Sequence, residues 1–433
     1  MSGILRICTA GSVDDGKSTL IGRLLHDSRG VYEDQIRSVR AASRNRTAGP
    51  IDFSLFTDGL RAEREQGITI DVAYRYFATA RRKFILADTP GHEQYTRNMA
   101  TGASTADVAV LLVDARHGVR EQTERHARIA RLFGITTFVL AVNKVDLVGF
   151  DEQVFRGIVE AAPDALDGAR VQAIPLSALH GDNVIEPSAR TPWYDGPALL
   201  PFLETVDVRS DDASGTFRFP VQLVLRPDAK FRGYAGQIAS GTIKTGDSIR
   251  VWPSGVRTRV ARIVTWDGDL PSASAGMSVT LVLTHDLDVS RGDVLTTTAP
   301  HVSRRFTADV VWMDEHPLRA GRPYVLKHGA RSVTAETDRP LTLNEIGRVT
   351  VTTARPLAFE RYGDDRQTGS FILIDPATNF TAGAGMIAEP VAERGTGLPA
   401  HGAAARLAHA ARGAGSDDDA VTVVARMLEE MLI

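Results

Sequence analysis

The chain has 433 residues, with 43% apolar and 24% charged residues and a formal net charge of −3. Its length allows roughly two to four domains. That balance is ordinary for a soluble globular protein and excludes an overall attraction to nucleic acid or to an anionic membrane. A single cysteine, Cys8, rules out an internal disulfide framework and fits a reducing compartment; it sits in an apolar run and reads as a small core residue. The N-terminus leads straight into a strand-like segment without the pattern of a secretory leader. No apolar run nears the roughly 18 residues that span a bilayer, so the expected location is cytoplasmic, with no membrane contact. Six lysines stand against 44 arginines, so a lysine inside a motif is conspicuous.

In chain order, strand-like runs at 4–10, 83–88, 108–115, 136–143 and 171–178 alternate with helical patterns at 17–28, 121–134 and 151–162. Such alternation predicts an α/β domain, a mostly parallel sheet with helices on both faces. Residues 72–88 read as two consecutive strands, which predicts one antiparallel edge. From about 209 the texture changes. A polar joint, "SDDASGTFRFP", is followed by short alternating strands punctuated by turns, and a second such set begins near 302. Two small all-β barrels are expected. The resulting division is 1–208 for the α/β domain, 209–301 and 302–394 for the barrels, and 395–433 for a flexible linker ending in a short helix.

The stretch "GSVDDGKS" fits G-x-x-x-x-G-K-[ST] between a predicted strand and a predicted helix, the context a phosphate-wrapping P-loop requires. Gly11, Ser12, Val13, Asp14, Asp15 and Gly16 supply the backbone that cradles phosphates, and Thr19 follows on the helix. Lys17 is expected at the β- and γ-phosphates and Ser18 on Mg2+. In "AEREQGITIDV", Thr69 is the candidate γ-phosphate sensor and second Mg2+ ligand. In "FILADTPGHEQYTRNMATGAS", Asp88 ends a strand where it can hold Mg2+ through water. Gly91 offers an open amide to the γ-phosphate, and His92 stands where it can orient the attacking water. "VNKVD" carries the base specificity. The Asp146 carboxylate can accept from both donors of guanine, Asn143 can brace the loop, and Lys144 can lie over the base plane. In "PLSAL", Ser177 orders the loop and the Ala178 amide can meet the guanine oxygen. These ordered motifs predict a P-loop GTPase that binds GTP with Mg2+ and hydrolyses it. The arginine-rich stretch at 37–46 reads as a solvated helix rather than an RNA patch, and His285, His316 and His328 lack metal-ligand spacing.

A GTPase domain followed by two β-barrels resembles the translation-factor class, which includes elongation factor Tu. Within it, the chain most closely resembles the GTPase (large) subunit, subunit 1, of bacterial sulfate adenylyltransferase (ATP sulfurylase), over residues 4 to about 394. "GSVDDGKSTLIGRLLHDS" carries that resemblance, with Asp15 where tRNA-delivering factors usually have His. So do "DFSLFTDGLRAEREQGITIDVAYRYF", "DTPGHEQYTRNMATGAS", "FRGYAGQIASGTIKTGD", "LKHGARSVTA", "LNEIGRV" and "TGSFILIDPATNFTAGAGMI". The resemblance implies a heterodimer. A separate small catalytic subunit transfers AMP from ATP to sulfate, giving adenosine 5′-phosphosulfate and pyrophosphate, and the GTPase subunit couples GTP hydrolysis to that unfavourable synthesis. The chain has no S-G-G-x-D-S pyrophosphate loop, which agrees with an ATP site on the partner. Some relatives carry a further adenylylsulfate kinase domain. Here about 39 residues follow position 394, with no second phosphate loop, so no such domain is expected. Two rival readings are a translation-factor-like carrier of aminoacyl-tRNA and a stand-alone regulatory switch. The mixed charge of the barrels disfavours the first, because such a carrier needs a phosphate-contacting surface. The loop around Thr69 and residues 92–104 are the expected coupling elements.

Overall fold

The first half of the chain builds a six-stranded sheet from β1 (Leu5–Gly11), β2 (Ala73–Ala78), β3 (Lys83–Asp88), β4 (Val108–Asp114), β5 (Thr137–Asn143) and β6 (Arg170–Pro175), in the order β2-β3-β1-β4-β5-β6. Neighbours run parallel except for the β2–β3 pair at one edge. The hairpin read at 72–88 accounts for that exception. β4 and β5 are buried at every position, as expected of apolar strands covered on both faces. On one face, α1 (Lys17–Asp27) joins the core of β1 and β3 with a later helix that the sequence does not announce. On the other lie α2 (Thr96–Ser104), α3 (Glu121–Leu132) and α4 (Glu152–Glu160). The later helix is α5 (Leu199–Thr205). The structure is a computed structural model that describes residues 4–28, 53, 69, 71–208, 215–228, 231–391 and 421–427. The joint at 209–214, the arginine-rich stretch at 37–46 and the linker at 397–419 lie outside the described residues.

The alternating segments after 215 form two all-β bodies. The first is an eight-stranded sheet whose path begins at β7 (Arg218–Pro220) and ends at β8 (Leu223–Asp228), which pairs with β9 (Phe231–Gln237). It curls back on itself, since Arg218 in β7 bridges Ser240 just beyond β9. The second is a closed six-stranded barrel formed by strands at His301–Trp312, Tyr324–His328, Arg331–Thr337, Ile346–Phe359, Ser370–Ile374 and Thr381–Pro390. Closure leaves no free strand edge. Among the described residues, two ion pairs join the bodies. Arg218 Nε lies 2.5 Å from Glu360 Oε1, with the arginine buried, and Arg331 Nη2 lies 3.2 Å from Asp293 Oδ1.

The closed barrel also packs on the α/β domain. Val311, Met313, Ala384 and Met386 share one hydrophobic cluster with Met99 and Ala103 of α2 and Ala130 of α3. Arg97 Nη2 donates to Met313 O at 3.2 Å, Tyr362 Oη donates to Phe133 O at 3.0 Å, and the Arg366 guanidinium donates to Gly134 O. Residues 1–389 and 390–433 divide as two units. In the second, residues 421–427 are helical. No helix among the described residues is long and apolar enough to cross a membrane.

Candidate nucleotide site

The predicted motifs converge at the carboxyl ends of the parallel strands, where ligands of open α/β sheets bind. β1 ends at Gly11, the loop runs through Gly16, and α1 begins at Lys17. Gly16 has φ +93°, and Asp14 adopts the left-handed region at φ +67°. Strained non-glycine backbone of this kind concentrates at functional loops. Lys17 Nζ folds over the loop, donating to Gly11 O at 3.0 Å and Ser12 O at 2.7 Å. Its burial pushes the ammonium pKa down, opposed by the carboxylates of Asp15, Asp88 and Asp14. Burial likewise pushes the Asp15 carboxyl up, opposed first by Lys17. Asp15 Oδ2 accepts the Ser12 N–H at 2.7 Å. The Ser12 hydroxyl is buried without a hydrogen-bond partner among the described residues, and a phosphate oxygen would satisfy it. Val13 and Thr19 are half-buried.

The second and third motifs meet this loop. Ser18 Oγ and Thr69 Oγ1 are 3.5 Å apart, about half an ångström wider than the ~3.0 Å between adjacent oxygen ligands of an octahedral Mg2+. Asp88 is 1% exposed at the end of β3, and its charge acts on Lys17. Gly91 presses on the lysine. A Cβ there would lie 2.4 Å from Lys17 Nζ and 3.0 Å from Gly11 O. A side chain at 91 would therefore displace the ammonium from the loop. His92 follows, half-buried, with its Nδ1 accepting the Gln94 N–H at 3.3 Å.

The base motifs brace the phosphate loop from the other side. Asn143, at the end of β5 and 1% exposed, donates from Nδ2 to Asp15 O at 2.8 Å; its Oδ1 accepts the Ala178 N–H at 3.0 Å. One side chain thus ties three segments. The Ala178 amide expected at the guanine oxygen is engaged by Asn143 in this structure. Lys144, itself left-handed at φ +62°, donates to Asp14 O and lies 2.9 Å from Asp114 Oδ2. Asp146 is largely buried and faces His180 Nε2 at 3.7 Å. Ser177 Oγ accepts the His180 N–H at 3.3 Å.

Residues 2–211 match the family model described as the elongation factor Tu GTP binding domain, and residues 336–388 match the GTP-eEF1A C-terminal domain-like model. The chain is 52% identical over 413 residues to the sulfate adenylyltransferase subunit 1 of Shewanella oneidensis, an alignment covering 89% of this chain and 85% of the relative. The chain belongs to the sulfate adenylyltransferase subunit 1 family. It is also 52% identical over 411 residues to the bifunctional enzyme NodQ of Rhizobium meliloti, covering 90% of this chain and 64% of that protein. Among solved structures, sup35 complexed with GDP is similar over 90% of this chain and 95% of that chain, with 25% identity and a TM-score of 0.40.

Two residues that touch the candidate site lie outside the motifs. Asp114 ends β4 and anchors Lys144. Burial alone would raise its pKa, but hydrogen bonds from Arg116 and Lys144 hold the carboxyl well below the usual range. The signal was present in the sequence, an Asp closing the run "VAVLLVD". His126 of α3 touches the first glycine of the loop, its Nδ1 accepting the Gly11 N–H at 3.1 Å. Its only sequence signal is an imidazole on the apolar face of an amphipathic helix.

Proposed function

We propose that this chain is the GTP-hydrolysing subunit of a sulfate adenylyltransferase. It couples GTP hydrolysis to the synthesis of adenosine 5′-phosphosulfate and pyrophosphate from ATP and sulfate on a separate small subunit. The carrying observation is the convergence of Thr69, Gly91 and Asn143 on one phosphate loop in a chain of this family. Each residue then has a task. The loop amides and Lys17 hold the β- and γ-phosphates. Asp146 accepts from guanine, with Asn143 and Lys144 fixing the base loop to the phosphate loop. Gly91 leaves its amide open to the γ-phosphate, and His92 orients the attacking water. Ser18 and Thr69, with Asp88 behind them, would hold Mg2+. The ion would neutralise charge developing between the β- and γ-phosphates. Hydrolysis needs little covalent chemistry from the protein; positioning and electrostatics carry it. The reading places the reaction in the cytoplasm, with GTP and ATP.

The test is pyrophosphate release from ATP and sulfate, measured with this chain, its small subunit, or both, with and without GTP. Release that needs both chains and rises with GTP is expected. Intact GTP hydrolysis without release in any combination would overturn the proposal.

A further inference from the structure

The third helix enters the phosphate site through a side chain that no motif assigns. His126, in the second turn of α3, is 0% exposed, and its Nδ1 accepts the Gly11 N–H at 3.1 Å. Its Nε2 lies 2.9 Å from the Gln122 side-chain nitrogen, one turn earlier, while the Gln122 oxygen accepts from Arg125. Burial, and then the positive charge of Lys17, pushes the imidazole pKa down to about 3. The ring is therefore neutral, and Nδ1 keeps the lone pair that accepts the amide. Gly11 has no slack on its other side. At φ +141°, a Cβ on it would lie 2.6 Å from Leu112 O of β4, and its own carbonyl accepts Lys17 Nζ. The first glycine of the loop is thus clamped between β4, Lys17 and His126.

The far end of α3 touches the closed barrel. Tyr362 donates to Phe133 O at 3.0 Å, and Arg366 donates to Gly134 O, immediately beyond the last residue of the helix. One stiff element therefore carries a loop contact at one end and a barrel contact at the other.

We propose that His126 is a positioning residue for the phosphate loop, and that α3 is the strut through which the closed barrel sets nucleotide affinity. The inference rests on reading the loop as the GTP site. Without the imidazole, the Gly11 N–H is buried and unsatisfied, and the loop relaxes by turning that peptide. The turn changes φ at Gly11, the residue whose own carbonyl, in the next peptide, accepts Lys17 Nζ, and so shifts the seat of the ammonium that meets the phosphates.

The experiment uses the full chain and follows dissociation of N-methylanthraniloyl-GDP by stopped flow, with equilibrium binding alongside. His126→Leu keeps an apolar side chain of similar size but removes the acceptor. It is expected to raise both the dissociation rate and the Kd by roughly five- to a hundredfold. His126→Asn places an amide oxygen near the Nδ1 position and is expected to restore both to within about threefold of wild type. Tyr362→Phe, which alters only the barrel end, is expected to speed release by about two- to fivefold. Unchanged release in His126→Leu overturns the inference. So does a His126→Asn variant as weak as His126→Leu, since volume rather than an acceptor would then be at work. Wild-type release from Tyr362→Phe overturns the strut. Failure of the wild-type chain to bind the nucleotide overturns the GTP site itself.

Discussion

Replacing Asn143 by Ala removes the brace that joins the phosphate loop to the base loop, and its cost can be worked from two bonds. The Nδ2 bond to Asp15 O is 2.8 Å and the bond from Ala178 N to Oδ1 is 3.0 Å, with Asn143 almost fully buried. Truncation strands a carbonyl on one loop and an N–H on the other, in space an alanine does not fill. A stranded buried group costs about 1–3 kcal/mol. The pair therefore amounts to about 2–6 kcal/mol before relaxation, and roughly half of that once water enters the gap. Expressed in binding, about 1–3 kcal/mol raises the Kd for GDP by roughly five- to 150-fold. Isothermal titration of the full chain reads that change directly, and thermal unfolding without nucleotide reads the part lost from the apo fold. Asn143→Asp discriminates further. It keeps an acceptor for Ala178 N–H but loses the donor to Asp15 O and sets a new charge beside Asp14 and Asp15. It should be at least as weak as Asn143→Ala. A Kd within threefold of wild type in Asn143→Ala, with an unaltered melting temperature, would refute the reasoning, because the two bonds would then be dispensable.

His92→Ala should lower kcat for GTP hydrolysis by roughly 10²–10⁴-fold while the Kd for GTP stays near wild type, measured by single-turnover phosphate release; lost binding would make His92 a structural residue. Asp146→Asn should weaken guanine nucleotides by roughly 10²–10⁴-fold, two charge-assisted bonds being lost, and shift preference toward xanthine, whose 2-oxo group accepts from an amide. Competition between GTP and XTP checks this, and unchanged guanine selectivity would remove Asp146 from the base site.

The parts of this molecule legible in the sequence are those whose cause is local. The run from Val108 to Asp114 is apolar without alternation because both faces of its strand are covered, and it is a central strand. Gly11, Gly16 and Lys17 announce a phosphate loop because backbone shape and a compact cation are set within eight residues. Helix α2 was not legible. Its sequence, TRNMATGAS, is poor in strong helix formers. Its Met99, Ala100 and Ala103 are buried against the sheet and the closed barrel, so packing overrides propensity. The same distance in sequence hides the partners of Phe133 and Gly134, more than two hundred residues downstream. His126 belongs to this class too. It reaches the loop through one hydrogen bond to a distant segment, which periodicity cannot register.

The proposed nucleotide site draws on five stretches, at 11–18, 69, 88–92, 143–146 and 177–178, that are far apart along the chain. A molecule bound there behaves as a removable cross-link. It binds the native state and not the unfolded chain, so its free energy of binding adds to that of folding. At a nucleotide concentration a thousand times the Kd, the added stability is about 4 kcal/mol, a large share of what an ordinary domain possesses. The cell's guanine nucleotide pool would thus govern how long this chain persists, as well as how fast it turns over.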